Sequence, residues 1–136
     1  MNNSRFAVSM HILTLLEAAP NELVSSDYLA GSININPVLV RKEISNLKKH
    51  GLVESKEGKS GGFMLAKPAK QIRISEVYEA VRQAPILGKV KNKPNPSCEV
   101  GKQIGKHLDN LFADAEQALV KSLGQQTLAD FSKKFS

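Results

Sequence analysis

Apolar residues recur along the first half of the chain at the spacing of short amphipathic helices. Between residues 4 and 17, Phe6, Met10 and Leu13 stand at i, i+4 and i+7, which gathers them on one helical face. Ser4 is placed to cap this first helix and Pro20 to end it. After Val24, Ser25 or Ser26 can cap a short second helix through Tyr28, Leu29 and Ala30, which Gly31 is expected to stop. Asn36 followed by Pro37 marks a third start. Asn accepts a bond from a free backbone N–H, and Pro at the first helical position has no N–H to leave unpaired. That helix runs to about His50 and ends at Gly51. Two short helices followed by a third across a tight turn predict a helix-turn-helix.

After Gly51 the period changes. Leu52, Val53 and Glu54 open an extended run, Gly58 to Gly62 form a polar glycine-rich tip, and Phe63, Met64 and Leu65 return before Pro68. This predicts a β-hairpin, which directly after such a unit is the wing of a winged helix. Ile74, Val77, Tyr78 and Val81 resume a helical period over 74–82, with Ser75 as its cap. Pro85, Gly88, Pro94 and Pro96 make residues 85–97 an irregular linker.

From Cys98 to Leu123 nothing interrupts a helix strongly, although Gly101 and Gly105 weaken its first turns. Ile104, Leu108, Leu111, Ala115 and Ala118 form an apolar stripe that Phe112 and Leu119 widen. Such a helix would be about 35 to 40 Å long, more than the small core of a winged helix can cover. The uncovered stripe needs a partner, most simply the same helix of a second copy across a two-fold axis. Ile104, Leu108, Leu111, Phe112, Ala115 and Leu119 are then the dimerisation residues. Gly124 ends the helix, and Thr127 to Phe135 form a short terminal one with Leu128 and Phe131 on one face. The expected fold is mainly α with a small β-hairpin: a winged helix-turn-helix over 1–84, a linker over 85–97, and the dimerisation and terminal helices over 98–136.

A chain of 136 residues is long enough for one such core with a helical extension and short for two full domains. No apolar run is long enough to cross a bilayer. Residues 1–6 lead into a segment broken by Ser9, His11 and Thr14 without a signal-type cleavage site, so a cytoplasmic location is expected. Cys98, the single cysteine, can form neither an internal disulfide nor a four-ligand metal site by itself. Charge adds more. Residues 36–73 hold nine basic and three acidic side chains, a net +6 that equals the excess of the whole chain. A polyanion docking on this one stretch is the economical inference.

On the third helix Val40, Ile44 and Leu47 share the core face. The opposite face presents Val38, Arg41, Lys42, Ser45 and Lys49, able to meet phosphates, guanine edges and a thymine methyl in a major groove. Any solvated surface helix could carry such charges, but this one is followed by a basic wing. There Lys56, Lys59 and Ser60 sit on a backbone flexible enough to approach a phosphate or a minor groove. The glycines fit neither a P-loop nor G-x-G-x-x-G. His11, His50 and His107 lie on separate helices without a Ser, Cys or acidic pair in a catalytic arrangement, so the chain does not read as an enzyme. A winged helix serving only protein–protein interaction is the alternative. RNA fits less well, because the wing lacks aromatics on which bases stack. Cys98, just before a helix N-terminus that would favour its thiolate, is either an inert half-buried thiol or a sensor of oxidants or electrophiles.

The run from Leu47 through Gly51, Gly58, Gly61 and Gly62 to Pro68, followed by Ile74 to Val81, resembles the Rrf2 family of bacterial transcription regulators. Ser4 to Val8 resembles the opening of that family. Cys98 to Asp130 resembles its dimerisation helix and the closing Thr-Leu-x-Asp at 127–130. The resemblance implies a homodimer on a pseudo-palindromic operator in double-stranded DNA, usually repressing. An unidentified effector, either a redox signal acting through Cys98 or a small molecule in the linker region, is a separate candidate partner. It brings the starts of the first and third helices to DNA, here Arg5 and, from Asn36 onward, Val38, Arg41 and Lys42. Family wings often carry Arg immediately before the glycine matching Gly58. This chain has Glu57 there, whose carboxylate would repel a narrow minor groove, so a different sequence preference is expected. Some relatives hold a [2Fe-2S] cluster on three closely spaced cysteines before the long helix. Gly88 to Gly105 keeps only Cys98, and Glu99 and His107 do not replace two thiolates, so no cofactor is expected.

Overall fold

The computed structural model describes residues 4–136, so Met1 to Asn3 of the amino-terminal reading lie outside the described residues. Over these residues the chain forms α1 (Arg5–Glu17), α2 (Ser26–Ile33), α3 (Pro37–Lys49), β1 (Val53–Lys56), β2 (Gly62–Leu65), α4 (Ile74–Val81), α5 (Ile104–Leu123) and α6 (Leu128–Ser132). Short 3-10 turns occur at Ala69–Gln71 and Lys133–Phe135. This is the mainly helical winged helix-turn-helix that the pattern predicts.

α1 is the central element. Ser9, Met10, Ile12, Leu13 and Leu16 are buried on more than one of its faces, as in a helix enclosed by neighbours. α2, α3, α4, β2 and α6 all pack on it. Its apolar side chains join Leu29, Val40, Ile44, Leu47, Leu52, Val53, Ile72 and Val77 in one core. Each large side chain fully removed from water stabilises the fold by about 1.5 to 3 kcal/mol before entropy is counted.

Caps and glycines set the local boundaries. Ser25 Oγ accepts the Tyr28 N–H at 3.1 Å and opens α2. Gly31 does not stop that helix: it continues to Ile33, and Asn34 closes it in the left-handed conformation at φ 63°. One glycine costs a helix only about 1 kcal/mol, and the packing of Ile33 and Ile35 against the core offsets that. Asn36 Oδ1 accepts the Val38 N–H at 2.8 Å and Pro37 begins α3. Gly51, at φ +76°, turns the chain out of α3 towards β1. The hairpin pairs Val53 with Leu65 and Lys56 with Gly62. Phe63 and Val24 exchange backbone bonds at 2.9 and 2.8 Å, a pairing the sequence pattern does not reveal. Gly62 permits it, since a Cβ there would lie 2.8 Å from the Val24 carbonyl oxygen. Ser75 is not the cap of α4. Arg73 holds that position, and its N–H donates to Glu76 Oε1 at 3.0 Å.

The last third departs furthest from expectation. A continuous helix begins at Ile104 and not at Cys98, because residues 97–103 form turns folded back on the proline-rich linker. A Cβ on Gly101 would stand 2.7 Å from the Asn95 carbonyl oxygen. α5 therefore has 20 residues and a length of about 30 Å. Thr127 and Asp130 cap α6 reciprocally, at 3.1 and 3.0 Å. This helix packs back on α1 and closes the winged helix instead of prolonging α5. Leu128 is wholly buried in the main core. Its N–H donates to Ile72 O at 2.8 Å, and the Ile74 N–H donates to Gln126 O at 3.0 Å. The segments on either side of residue 98 thus share one core.

Candidate nucleic-acid interface

α3 turns Val40, Glu43, Ile44 and Leu47 inward. At 100° per residue the opposite row is Val38, Lys42, Ser45 and Lys49, with Arg41 at its edge, and all five are exposed. Both flanks of the helix are pinned. On one, Lys48 Nζ donates to Ser55 Oγ at 2.7 Å and fixes the hairpin alongside. On the other, Asn46 Nδ2 donates to Ala80 O at 2.8 Å, and Arg5 Nε donates to Glu43 Oε2 at 2.9 Å. The outward row is left to solvent.

The wing adds Lys56, Lys59 and Ser60, all exposed, together with the exposed Glu57. Its tip is a tight turn that needs glycine twice. Gly58 has φ +107°, and a Cβ on Gly61 would overlap the Lys56 carbonyl oxygen. Among the described residues no ion pair engages Arg41, Lys42, Lys49, Lys56 or Lys59. The rest of the basic stretch is partly spent on structure. Lys67 pairs with Glu76 at 2.8 Å, and Arg73 Nη1 donates to Gly124 O at 2.6 Å. Within the basic stretch 36–73, the cations left without a partner among the described residues are thus Arg41, Lys42 and Lys49 of α3, Lys56 and Lys59 of the wing, and Lys70.

Two of the expected contact residues are already committed. Arg5 is half-buried and its Nε reaches both Glu43 oxygens, at 3.1 and 2.9 Å, so it tethers α1 to α3. The Asn36 side-chain oxygen serves the helix cap. Sequence reasoning also missed two candidates. Tyr28 at the start of α2 and Leu39 next to Val38 in α3 are 62% and 51% exposed, although large and apolar, as is Val38 at 60%. Leu39 was findable, because it lies roughly 100° off the Val40, Ile44 and Leu47 stripe.

α5 packs on α4. Tyr78 Oη donates to both Glu116 oxygens at 2.7 Å, and Arg82 Nη1 donates to Glu116 Oε1 at 3.2 Å. Burial and this carboxylate acceptor push the Tyr78 phenol up to about 12. Of the six expected dimerisation residues, Leu108, Phe112, Ala115 and Leu119 are half-buried, whereas Ile104 and Leu111 are exposed, Leu111 at 58%. The chain's own linker partly covers the first half of the stripe. Val90 and Pro94 line a hollow of about 330 Å³ with Ile104, Leu108 and Phe112. A larger apolar groove of about 670 Å³ lies between α1, α6 and the end of α5, and takes no lining residue from α3 or the hairpin. Cys98 is exposed and its Sγ accepts the Gly101 N–H at 3.4 Å. It precedes the continuous helix by six residues, so the expected position at a helix N-terminus does not form.

The comparison with known proteins bears on this arrangement. The family model described as Rrf2, iron-dependent transcriptional regulator, matches residues 2–134. The chain belongs to the Rrf2 family. Membership makes it a transcriptional regulator and not an enzyme. Over 130 residues it is 42% identical to a protein of Bacillus subtilis (strain 168) provisionally named HTH-type transcriptional regulator YwnA, with 96% of each chain covered. It is 36% identical to a crystallised protein provisionally described as DNA-binding, at a TM-score of 0.74, with 94% of this chain and 98% of that one covered. The structure of CymR (YrzC), the global cysteine regulator of B. subtilis, shares the fold at 18% identity and a TM-score of 0.73, with 98% and 97% covered.

Iron belongs to the family description, and the donor set here does not fit it. Cys98 is the single thiol of the chain, and among the described residues no three His, Cys, Asp or Glu side chains gather as metal ligands. A cluster built on cysteine sulfur needs several thiolates in one place.

Proposed function

We propose that this Rrf2 regulator binds DNA sequence-specifically and represses transcription as a homodimer on a pseudo-palindromic operator, in the cytoplasm. The observation that carries the reading is the outward face of α3, whose exposed Arg41, Lys42 and Lys49 have no ion pair among the described residues, with a basic wing fixed at its flank by the bond from Lys48 to Ser55. The names of the similar proteins, an HTH-type regulator and a DNA-binding protein, support it. α5 supports the dimer: none of its residues is buried, and Leu111 offers an apolar side chain to a partner. Two copies related by a two-fold axis would present two α3 helices to successive turns of one face of the duplex. Among the described residues no helix is long and apolar enough to cross a membrane.

Selection of genomic DNA fragments by the purified protein tests the reading, followed by a salt titration on the enriched site. Binding is expected to fall by orders of magnitude over a few-fold rise in salt as condensed counterions are released. Absence of any enriched site would favour a winged helix that binds another protein.

A further inference from the structure

We propose that the leading end of α3 reads thymine 5-methyl groups through an apolar pair, Val38 and Leu39, held in solvent by the fold. The proposal rests on the DNA-binding reading above and deepens it. Both side chains are more than half exposed, at 60% and 51%, while the core stripe of the same helix is complete without them. Their position makes the exposure notable. They occupy the second and third residues of α3, in a first turn that holds no acidic residue. Carboxylates are the side chains that stabilise a helix N-terminus, and β-branched Val is a mediocre helix former. Leu is a good helix former, but Lys, Gln or Glu would serve propensity equally well without exposing an apolar side chain, and the core uses neither Val38 nor Leu39.

A major groove accounts for both features. A carboxylate at this turn would be repelled by the phosphates, and an aliphatic group has one apolar feature to meet on the base edges, the thymine C5-methyl. The surrounding charge selects the same partner. Arg41 and Lys42, on the next turn of the same helix, are exposed and have no ion pair among the described residues, which suits a polyanion better than an apolar protein surface. The pair is also held in place. Asn36 Oδ1 fixes the Val38 N–H at 2.8 Å, and Val40, the next residue, is wholly buried. Adjacent residues of such a turn can reach methyl groups about one base step apart, roughly 3.4 Å along a strand.

The test replaces thymine by uracil, one position at a time, in both half-sites of the operator recovered by selection. Uracil keeps every hydrogen-bonding group and removes only the methyl. Binding is expected to weaken about fourfold for each methyl lost at one or two positions per half-site, the worth of one buried methyl. In the Val38→Ala, Leu39→Ala double variant the same uracil substitutions are expected to have no further effect. Both residues are exposed, and an unchanged circular dichroism spectrum would confirm that the variant is folded. Equal wild-type binding to thymine and uracil operators, with Arg41→Ala still impairing binding, overturns the proposal and leaves DNA recognition standing. Uracil sensitivity that persists in the double variant also overturns it, by assigning the methyl contact elsewhere. A selection that enriches no sequence overturns the DNA-binding reading itself.

Discussion

Arg5, the first residue of α1, donates from Nε to both carboxylate oxygens of Glu43 on α3, at 3.1 and 2.9 Å, with only 19% and 9% of the two side chains exposed. The helix that faces outward is thereby locked to the helix at the centre of the core. Hydrogen bonds to charged groups of this kind contribute about 1.5 to 3 kcal/mol. Arg5→Ala and Glu43→Ala are each expected to lower the urea midpoint by a comparable amount, and the double variant by less than the sum, since both remove one interaction. Additive losses would show that the two side chains act separately.

This pair also marks where sequence reading runs out. The periodicity of Val40, Ile44 and Leu47 and the Asn36 cap made α3 and its outward face legible, because local spacing and local capping decide them. The spacing of Gly51, Gly58 and Gly62 similarly disclosed the hairpin. What pairs across the fold has no such local signal. Arg5 stands 38 positions from Glu43, and its charge looked free until the fold brought the carboxylate to it. Leu128 likewise looked like part of a terminal appendage, yet it is wholly buried beneath Ile72 and α1. The start of α5 was misplaced for a different reason. Gly101 and the linker prolines favour turns over a helix that propensity alone would extend to Cys98.

The outward row of α3 and the wing are expected to differ in what they contribute. Arg41→Ala and Lys42→Ala should each weaken operator binding by about 1 to 3 kcal/mol and relax base preference, as groups that face base edges do. Lys59→Ala at the wing should weaken all sequences alike and reduce the salt slope by about one. Competition binding with operator and unrelated duplexes measures both. Unchanged binding in the two α3 variants would remove this helix from recognition.

Leu111 is 58% exposed on α5, so a charge there does not disturb the fold of one chain. In the proposed dimer the same position is covered, and Leu111→Glu would bury an unpaired carboxylate in the seam. Sedimentation of this variant is expected to show folded monomers with poor operator affinity. An unperturbed dimer would place the contact on another surface, such as the apolar groove between α1 and α6.

The hydrogen bonds from Tyr78 to Glu116 join α4 to α5, and the phenol is held up at about 12 against an ordinary value near 10. Between these values the folded state retains a proton that the unfolded state has lost. Stability gained from this group is therefore complete below pH 10 and declines as pH rises towards 12. An absorbance titration of tyrosinate is expected to show a step near 12 that Tyr78→Phe abolishes. A wild-type spectrum with no ionisation that late would mean that the bond is not maintained in solution.

The family description names iron, and the chain makes a definite prediction about it. Between the wing domain and α5 the donor set consists of Cys98 and the side chains of Glu99 and, within α5, His107. Cys98 is turned towards Gly101, whose N–H it accepts at 3.4 Å, and Glu99 is paired with Lys102 at 3.4 Å. An iron–sulfur cluster draws its stability from several thiolate ligands, and a carboxylate and an imidazole are harder donors that do not supply it. Two copies of the chain would bring only two thiols. The protein purified under anaerobic conditions is therefore expected to be colourless, free of stoichiometric iron and sulfide, and able to bind its operator in the presence of a chelator. Cys98→Ser should leave all three properties unchanged. A visible charge-transfer band with about two irons per chain, lost together with operator binding on chelation, would show that the chain recruits ligands its fold does not gather.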